Sequence, residues 1–499
     1  MWMWVGEIRH KGLENILQFE PPPEYTRRGS ARHLTIEREV EFAKSSGATY
    51  TWKAYGLEQI TLTVAPTVYP PREDSILLDQ VLAELGPGGG RRLLEIGCGS
   101  GAVSLSCSIR DWVVNACDVN PMAVASTLGN ASEYDCPIDV VEGGPGDTMT
   151  WIPEEGVDVI AWNLPYLDPT PGEHLGPLED FSLIEQQGDL ALLSALQEQP
   201  QILNPGGVVY LLHSSNRLGV RIPTAWRASG WATRNVQQVC VGDEILTVIA
   251  CWRPFERAEI LRLESCESTN DEILNNGGVE GKLITTAKQT AGRGYRNRNW
   301  VGSERNFMGS WSLHNKSIER GPEFIQFAAT LSVLDTIAVF KNHGLPTHSW
   351  IHCSALETDG VRVKWPNDIW LRTPTRIGKL CGILAQGRTQ GDQTYIALGI
   401  GLNQTAVAEV EDSIGWNEMF GAELDELIPI LHASIASTLE IHELVKSIPK
   451  DDVHRIVFSA MRMTFCEGEP RSFGIDVSGG LLGVDQITRF NGDWNWNWN

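Results

Sequence analysis

A chain of 499 residues is too long for one ordinary core and fits two or three domains. Hydrophobic content of 42% and charged content of 21% are globular values, which excludes wholesale disorder. A formal net charge of −23 excludes a chain-wide basic surface for a phosphate backbone and leaves at most a local basic patch.

The 10 cysteines are scattered singly, with no C-x-x-C pair and no Cys/His cluster at zinc spacing, so no metal site is expected. That usage suits a reducing cytosol. Met1-Trp2-Met3-Trp4 is followed at once by Glu7, Arg9 and Lys11, which is not a secretory pattern. No apolar run approaches the roughly 20 residues that cross a bilayer. A cytoplasmic protein without membrane contact is expected.

Residues 1–67 form an extension with a Pro-rich break at Pro21-Pro22-Pro23 and no assignable motif. From Val68 strands and helices alternate: strand 92–96, a glycine turn, helix 102–109, then strands 113–118, 157–162, 207–213 and 246–251. Such alternation predicts an α/β, Rossmann-like, doubly wound sheet over 68–254. After Trp252-Arg253-Pro254 a second, α+β domain is expected over 255–445. It has a helix from Ser268, a strand 282–286, a basic loop, a long apolar helix 324–340, an insertion at 347–360, strands near 361–364 and 395–400, and a helix over 423–442. Residues 446–499 read as short strand-like pieces of a small β-barrel. The closing W-N-W-N-W-N has no physical account.

The first domain carries L-L-E-I-G-C-G-S-G at 93–101. Gly97, Gly99 and Gly101 follow a strand and open a helix, where backbone without Cβ allows close approach and the helix N-terminus offers N–H groups. Asp118 ends the next strand, placed to accept hydrogen bonds from two ribose hydroxyls. Asn163-Leu164-Pro165-Tyr166 follows a later strand and so lies at the carboxyl edge of the sheet, where ligands sit. An Asn oxygen plus the next carbonyl can accept both hydrogens of a planar nitrogen, while the Tyr166 ring supplies a flat wall.

These residues resemble the HemK/PrmC family of protein-glutamine methyltransferases, and Val68-Tyr69-Pro70-Pro71-Arg72-Glu73-Asp74-Ser75 resembles the entry motif of its archaeal and eukaryotic branch. The resemblance implies a class I methyltransferase domain using S-adenosylmethionine, acting on the glutamine of class I release factors, usually with a small zinc-binding activator subunit. It implies cofactor contacts from Ser75, Glu95, Gly97, Gly99, Gly101, Asp118 and Asn163. Asn163, Leu164, Pro165 and Tyr166 would hold the target amide, with Asn163 and Tyr166 catalytic. Two departures stand out. Leu164 replaces a Pro whose fixed φ stiffens the loop. The acidic residue near the adenine is ambiguous between Glu142 and Asp147.

The second domain carries Q-T-A-G-R-G-Y-R-N-R-N-W from Gln289, K-W-P-N-D at 364–368, G-K-L-C-G-I-L at 378–384 and G-I-G-L-N at 399–403. Bringing a carboxylate to the α-phosphate of ATP builds negative charge and needs fixed cations and backbone donors. Arg293, Arg296, Arg298, Lys364 and Lys379 supply the cations. An Arg-rich loop alone would read as a solvated turn; four motifs in this order do not.

Together they resemble biotin–protein ligases over 256–499. The resemblance implies biotin contacts from Ser268, Thr269, Asn270, Gln289, Arg293, Gly294, Tyr295, Lys379, Gly382 and Gly399. It implies ATP contacts from Arg296, Arg298, Trp300, Lys364, Asn367 and Asn403, the last two near magnesium. Lys379 and Arg293 would be catalytic, and Asp368 would orient the incoming lysine. Tyr295 replaces the second Arg of the family's loop, Asn297 a Gly, and Gln386 a common Glu. No winged helix precedes Glu256.

The sequence therefore predicts a bifunctional enzyme. One half would biotinylate the lysine of a biotin carboxyl carrier protein or domain through biotinyl-5′-AMP, with ATP and magnesium. The other would methylate a nitrogen, the release-factor glutamine first. Alternatives for the amino half are an adenine methyltransferase acting on nucleic acid and a non-catalytic partner-binding module. With no shared intermediate, the two halves are expected to be tethered without channelling.

Overall fold

The computed structural model describes residues 47–146, 149–165, 188–214, 218–242, 244–294, 299–313, 321–340, 360–390, 393–418, 424–461, 472–476, 480–483 and 488–489. Two seven-stranded sheets dominate, one in each half of the chain.

The first sheet is built from β3 (Arg92–Ile96), β4 (Val113–Asp118), β5 (Ile138–Glu142), β6 (Val157–Asn163), β7 (Leu203–Ser214), β8 (Ala232–Val241) and β9 (Glu244–Trp252). Its order is β5-β4-β3-β6-β7-β9-β8. The first five are parallel neighbours, and β9 and β8 add antiparallel. The parallel strands are near-continuous apolar runs because helices cover both faces. In β6, Val157, Val159, Ile160 and Ala161 are all fully buried. Strand β3 has β4 on one side and β6 on the other, so the strand order reverses there. In an open α/β sheet the crevice at such a reversal is the ligand position.

The segment read as an unassigned extension is partly folded onto this domain. A hairpin of β1 (Ala48–Trp52) and β2 (Ile60–Val64) pairs antiparallel. Trp52 and Leu62 pack with Ala102 and Leu105, and Asn130 bonds both backbone groups of Thr63. Alternating Thr-x-Thr residues had hidden it as polar chain.

The second sheet contains β10 (Ile260–Leu263), β11 (Leu283–Thr286), β12 (Phe307–Leu313), β13 (Val361–Lys364), β14 (Asp368–Arg372), β15 (Ile377–Gln390) and β16 (Gln393–Leu402), ordered β10-β11-β12-β16-β15-β14-β13. Only β10 and β11 pair in parallel. Helices α7 (Pro322–Phe340) and α8 (Leu424–Leu439) pack behind it, Phe324, Ala328, Leu331 and Ile435 meeting sheet residues such as Ile383. Among the described residues, 323–340 is one helical stretch long and apolar enough to cross a membrane, but 83% of it is buried inside the protein.

The terminal segment corrects one expectation. Residues after 446 begin not with strands but with α9 (Lys450–Met461), where Val453, Ile456 and Val457 are buried at helical spacing. A three-stranded antiparallel sheet follows from Ser472.

The two halves are also packed against each other. Arg253 bonds the carbonyls of Pro200 and Leu203, and Phe255 is buried. One contiguous apolar core runs from Leu93 and Val159 of the first domain through Trp252 and Phe255 to Leu398 and Ile435 of the second.

Candidate functional sites

The first site lies at the strand reversal. After β3 the chain turns on Gly97, Gly99 and Gly101, at φ 70°, 56° and 79°, a region closed to residues with a Cβ except at a cost. The turn then opens α2 (Ala102–Ile109). The Asp118 carboxylate accepts from the N–H groups of Gly99 and Asn120, each at 2.9 Å, which fixes it at the end of β4. Burial pushes its carboxyl up. Glu95 accepts the Ser104 hydroxyl of α2, and burial raises its carboxyl to about 8. Without a bound ligand Glu95 is therefore mostly protonated at neutral pH.

Asn163 ends β6 next to this turn. Its amide nitrogen donates to Asp74 Oδ2 at 2.8 Å. Asp74 Oδ1 in turn accepts from the backbone and hydroxyl of Ser75 at 2.6 and 3.2 Å. With both Asp74 oxygens engaged, the Asn163 amide is locked, and its Oδ1 is left buried with no partner among the described residues. A buried unpaired acceptor is costly unless a ligand donor meets it. Asp74, 89 residues away in sequence, is a residue at this site to which the motif reading gave no role. Ser75 instead caps α1 (Glu73–Ala83), its side chain facing the Arg72 backbone.

Leu164 compensates for the Pro it replaces. Its N–H, which Pro lacks, donates to the Leu212 carbonyl at 2.9 Å and extends the β6–β7 pairing by one rung. Tyr166 and Asp147 lie outside the described residues.

The second site is a cleft in the β-rich domain. Ser268, Thr269 and Asn270 enter it from the start of α6 (Thr269–Asn276), Gln289, Arg293, Gly294 and Trp300 from the basic loop. Asn367, Asp368, Lys379, Gly382 and Gly399 enter from β14 to β16. All four motifs thus meet in one cavity. Gln289 accepts from Thr269 N–H at 2.9 Å. Asn270 is held by Gln386 at 2.6 Å and by the Ser310 hydroxyl at 2.7 Å. The Gln at 386 therefore orients a wall residue, and Ser310, on β12, is a positioning residue that no motif flagged.

Lys379 Nζ pairs with Asp368 at 2.8 Å and sits 5.5 Å over the Trp300 ring. Arg293 pairs with Asp271 at 2.9 Å while its side chain stays 53% exposed. Both cations are thus held by carboxylates yet open to an incoming anion. The loop's ends are joined, Trp300 N–H donating to Gly292 at 2.9 Å. Tyr295, Arg296 and Arg298 fall outside the described residues.

The glycines at 382 and 401 open space for the Trp300 indole: a Cβ would lie 2.9 Å and 2.3 Å from its ring. Lys364 stacks on Trp370, 4.9 Å from the ring centre, and does not line the cleft. Asn403 bonds the Lys379 carbonyl at 3.1 Å and Ser413 at 3.2 Å while accepting from Asn306 at 3.0 Å. It braces Lys379 from behind. Asn367 donates to the Ile383 carbonyl at 2.6 Å and does line the cleft.

Known proteins resemble the two halves separately. A relative of Methanocaldococcus jannaschii named "putative protein N5-glutamine methyltransferase" is 30% identical over 199 residues, 40% of this chain and 98% of that relative. The chain belongs to the protein N5-glutamine methyltransferase family. The Biotin/lipoate A/B protein ligase family matches residues 263–403. The bifunctional ligase/repressor BirA of Bacillus subtilis is 33% identical over 28% of this chain and 38% of its own length. The biotin–[acetyl-CoA-carboxylase] ligase of Mycobacterium tuberculosis is 31% identical over 34% of this chain and 56% of its own. The chain thus spans about half or less of these ligase relatives, and the methyltransferase and ligase relatives match different parts of it.

Proposed function

We propose that the chain is a bifunctional enzyme, a biotin–protein ligase fused to a protein-glutamine methyltransferase. The observation that carries this reading is the convergence of Lys379, Arg293 and Trp300 with Asn270 and Gln289 in one cleft, in a chain whose other half holds Asn163 beside a glycine turn.

In the ligase cleft, Asn270, Thr269 and Gln289 form a polar wall suited to a ureido ring, and the glycine-backed Trp300 gives an apolar side for an aliphatic tail. ATP with magnesium supplies the adenylyl group. Lys379 moves from Asp368 toward the charge growing between carboxylate and α-phosphate, and Arg293 adds a second cation from the loop. Asp368, once freed, is placed to accept a proton from an incoming lysine amine. Asn367 serves the nucleotide side; Arg296, Arg298 and Tyr295 keep the roles that the family motif implies.

In the methyltransferase site, S-adenosylmethionine supplies an electrophilic methyl group. The glycine turn and Asp118 cradle it, and Glu95 braces the turn. Asn163 Oδ1 accepts one hydrogen of the target amide and the Leu164 carbonyl the other, aiming the nitrogen lone pair. Tyr166 walls the site. The partners are a biotin carboxyl carrier protein or domain and a class I release factor, in the cytoplasm, with a small zinc-binding activator subunit as a third.

Mass spectrometry tests both halves together. The full chain is incubated with a carrier domain, a release factor, biotin, ATP and S-adenosylmethionine. The carrier lysine should gain one biotinyl group and the release-factor glutamine one methyl group. A carrier left unmodified refutes the ligase reading, and methylation of adenine in added DNA or RNA, with the glutamine untouched, replaces the methyltransferase one.

A further inference from the structure

The outer edge of the first sheet is covered by the second domain. Arg234 on β8 is 2% exposed, under the Trp252 ring at 5.1 Å. Its guanidinium donates to the carbonyls of Ala436, Ser437 and Glu440 at 3.3, 2.9 and 3.1 Å, and to Lys446 at 2.8 Å. The Ala436, Ser437 and Glu440 carbonyls close the C-terminal end of α8, where a helix leaves acceptors unpaired and its dipole favours a cation. A residue of one domain thus caps a helix of the other.

Three further contacts cross the same boundary. The Glu440 carboxylate accepts from Trp252 Nε1 at 2.7 Å. The Tyr210 hydroxyl of β7 donates to the Leu444 carbonyl. Arg227 on α5 (Leu218–Ala228) pairs with Asp335 on α7 at 2.5 Å, their side chains 3% and 1% exposed. Buried charges of this kind are tolerated only when each has its partner.

We infer that the methyltransferase and ligase domains fold and unfold as one cooperative unit, with β8, β9 and α5 serving as the obligate packing partner of α7 and α8. The same β7 whose Tyr210 reaches Leu444 pairs with β6 and Asn163. The same α7 packs against β15, which carries Lys379. Loss of one half therefore removes support from the other, and a ligand bound at one site holds both halves folded.

Hydrogen exchange of the full chain across a urea series tests this. Peptides from β6 and β7 and peptides from β12 and α7 should lose protection at the same urea concentration. Two separated midpoints, in either order, overturn the inference. Arg234→Met should lower both midpoints equally. If that variant does not fold, Tyr210→Phe removes a single cross-domain bond and should still move both; movement of the methyltransferase peptides alone overturns the inference. Saturating biotin, with binding checked by calorimetry on the same sample, should raise both midpoints together, and a rise confined to ligase peptides contradicts coupling. Failure of biotin to bind refutes the proposed ligase function, which the inference does not need, and the ligand-free series still decides the interface.

Discussion

The two sites handle polarity in opposite ways. Around Asn163 three described carboxyls are buried: Asp74, Glu95 and Asp118 are at most 7% exposed, and burial pushes all three up. Around Lys379 the charges are half-open and paired, Lys379 with Asp368 and Arg293 with Asp271. Orienting a neutral amide toward a methyl group needs one rigid acceptor and little charge movement. Activating a carboxylate moves a full phosphoryl charge, which calls for cations that can change partner. The first site is a strand end locked from behind, and the second brings loop and sheet residues together in one cleft.

The largest expected effect breaks the rigid site. Asn163→Ala should cut methyl transfer on the order of 10²–10³-fold, as removal of a single aimed polar group does, with carrier biotinylation unchanged. Parallel rate measurements on one preparation check it. In the open site, Gly401→Val pushes the Trp300 ring, 2.3 Å from the new Cβ position, off the Lys379 side of the cleft. Biotinylation should fall about 10²-fold, the cost of misplacing a wall by an ångström, with methyl transfer untouched.

A pH series sharpens the contrast. Glu95 has a folded-state value raised to about 8 from 4.5, so the folded state holds a proton that the unfolded state releases. Its contribution is fully present below pH 4.5 and is lost as pH rises toward and through about 8. Glu95→Gln should therefore flatten the fall in ligand-free stability over that window, read as Tm against pH beside the parent chain. An unchanged slope would place the proton elsewhere.

The smallest effect concerns Leu164. Leu164→Pro restores the family residue but deletes the N–H bond to Leu212, and should cost about 1 kcal/mol in urea unfolding. Methyl transfer should change by less than about tenfold, since the carbonyl that holds the target remains.

Much of this was legible in the sequence because the chemistry is written in short runs. The glycine turn, Asp118, Asn163 and the four ligase motifs sit where their strand and loop contexts put them. What stayed hidden depends on contacts across long separations. Asp74 locks Asn163 from a different element, Ser310 orients Asn270 from β12, and Arg234 caps a helix 200 residues on. None of these has a local signature. Leu164 looked like a lost constraint because the gain of an N–H shows only once Leu212 is beside it. Helix α9 was missed because its apolar residues were too few to outweigh the strand-like text that follows.

The central claim is that Lys379 and the Gly292–Trp300 loop act on one carboxylate in one cleft. Biotin-dependent exchange of labelled pyrophosphate into ATP measures that step without any carrier. The account predicts exchange by the full chain and its loss, by about 10²-fold or more, in Lys379→Met that still methylates at the parent rate. Exchange at the parent rate in Lys379→Met would contradict it.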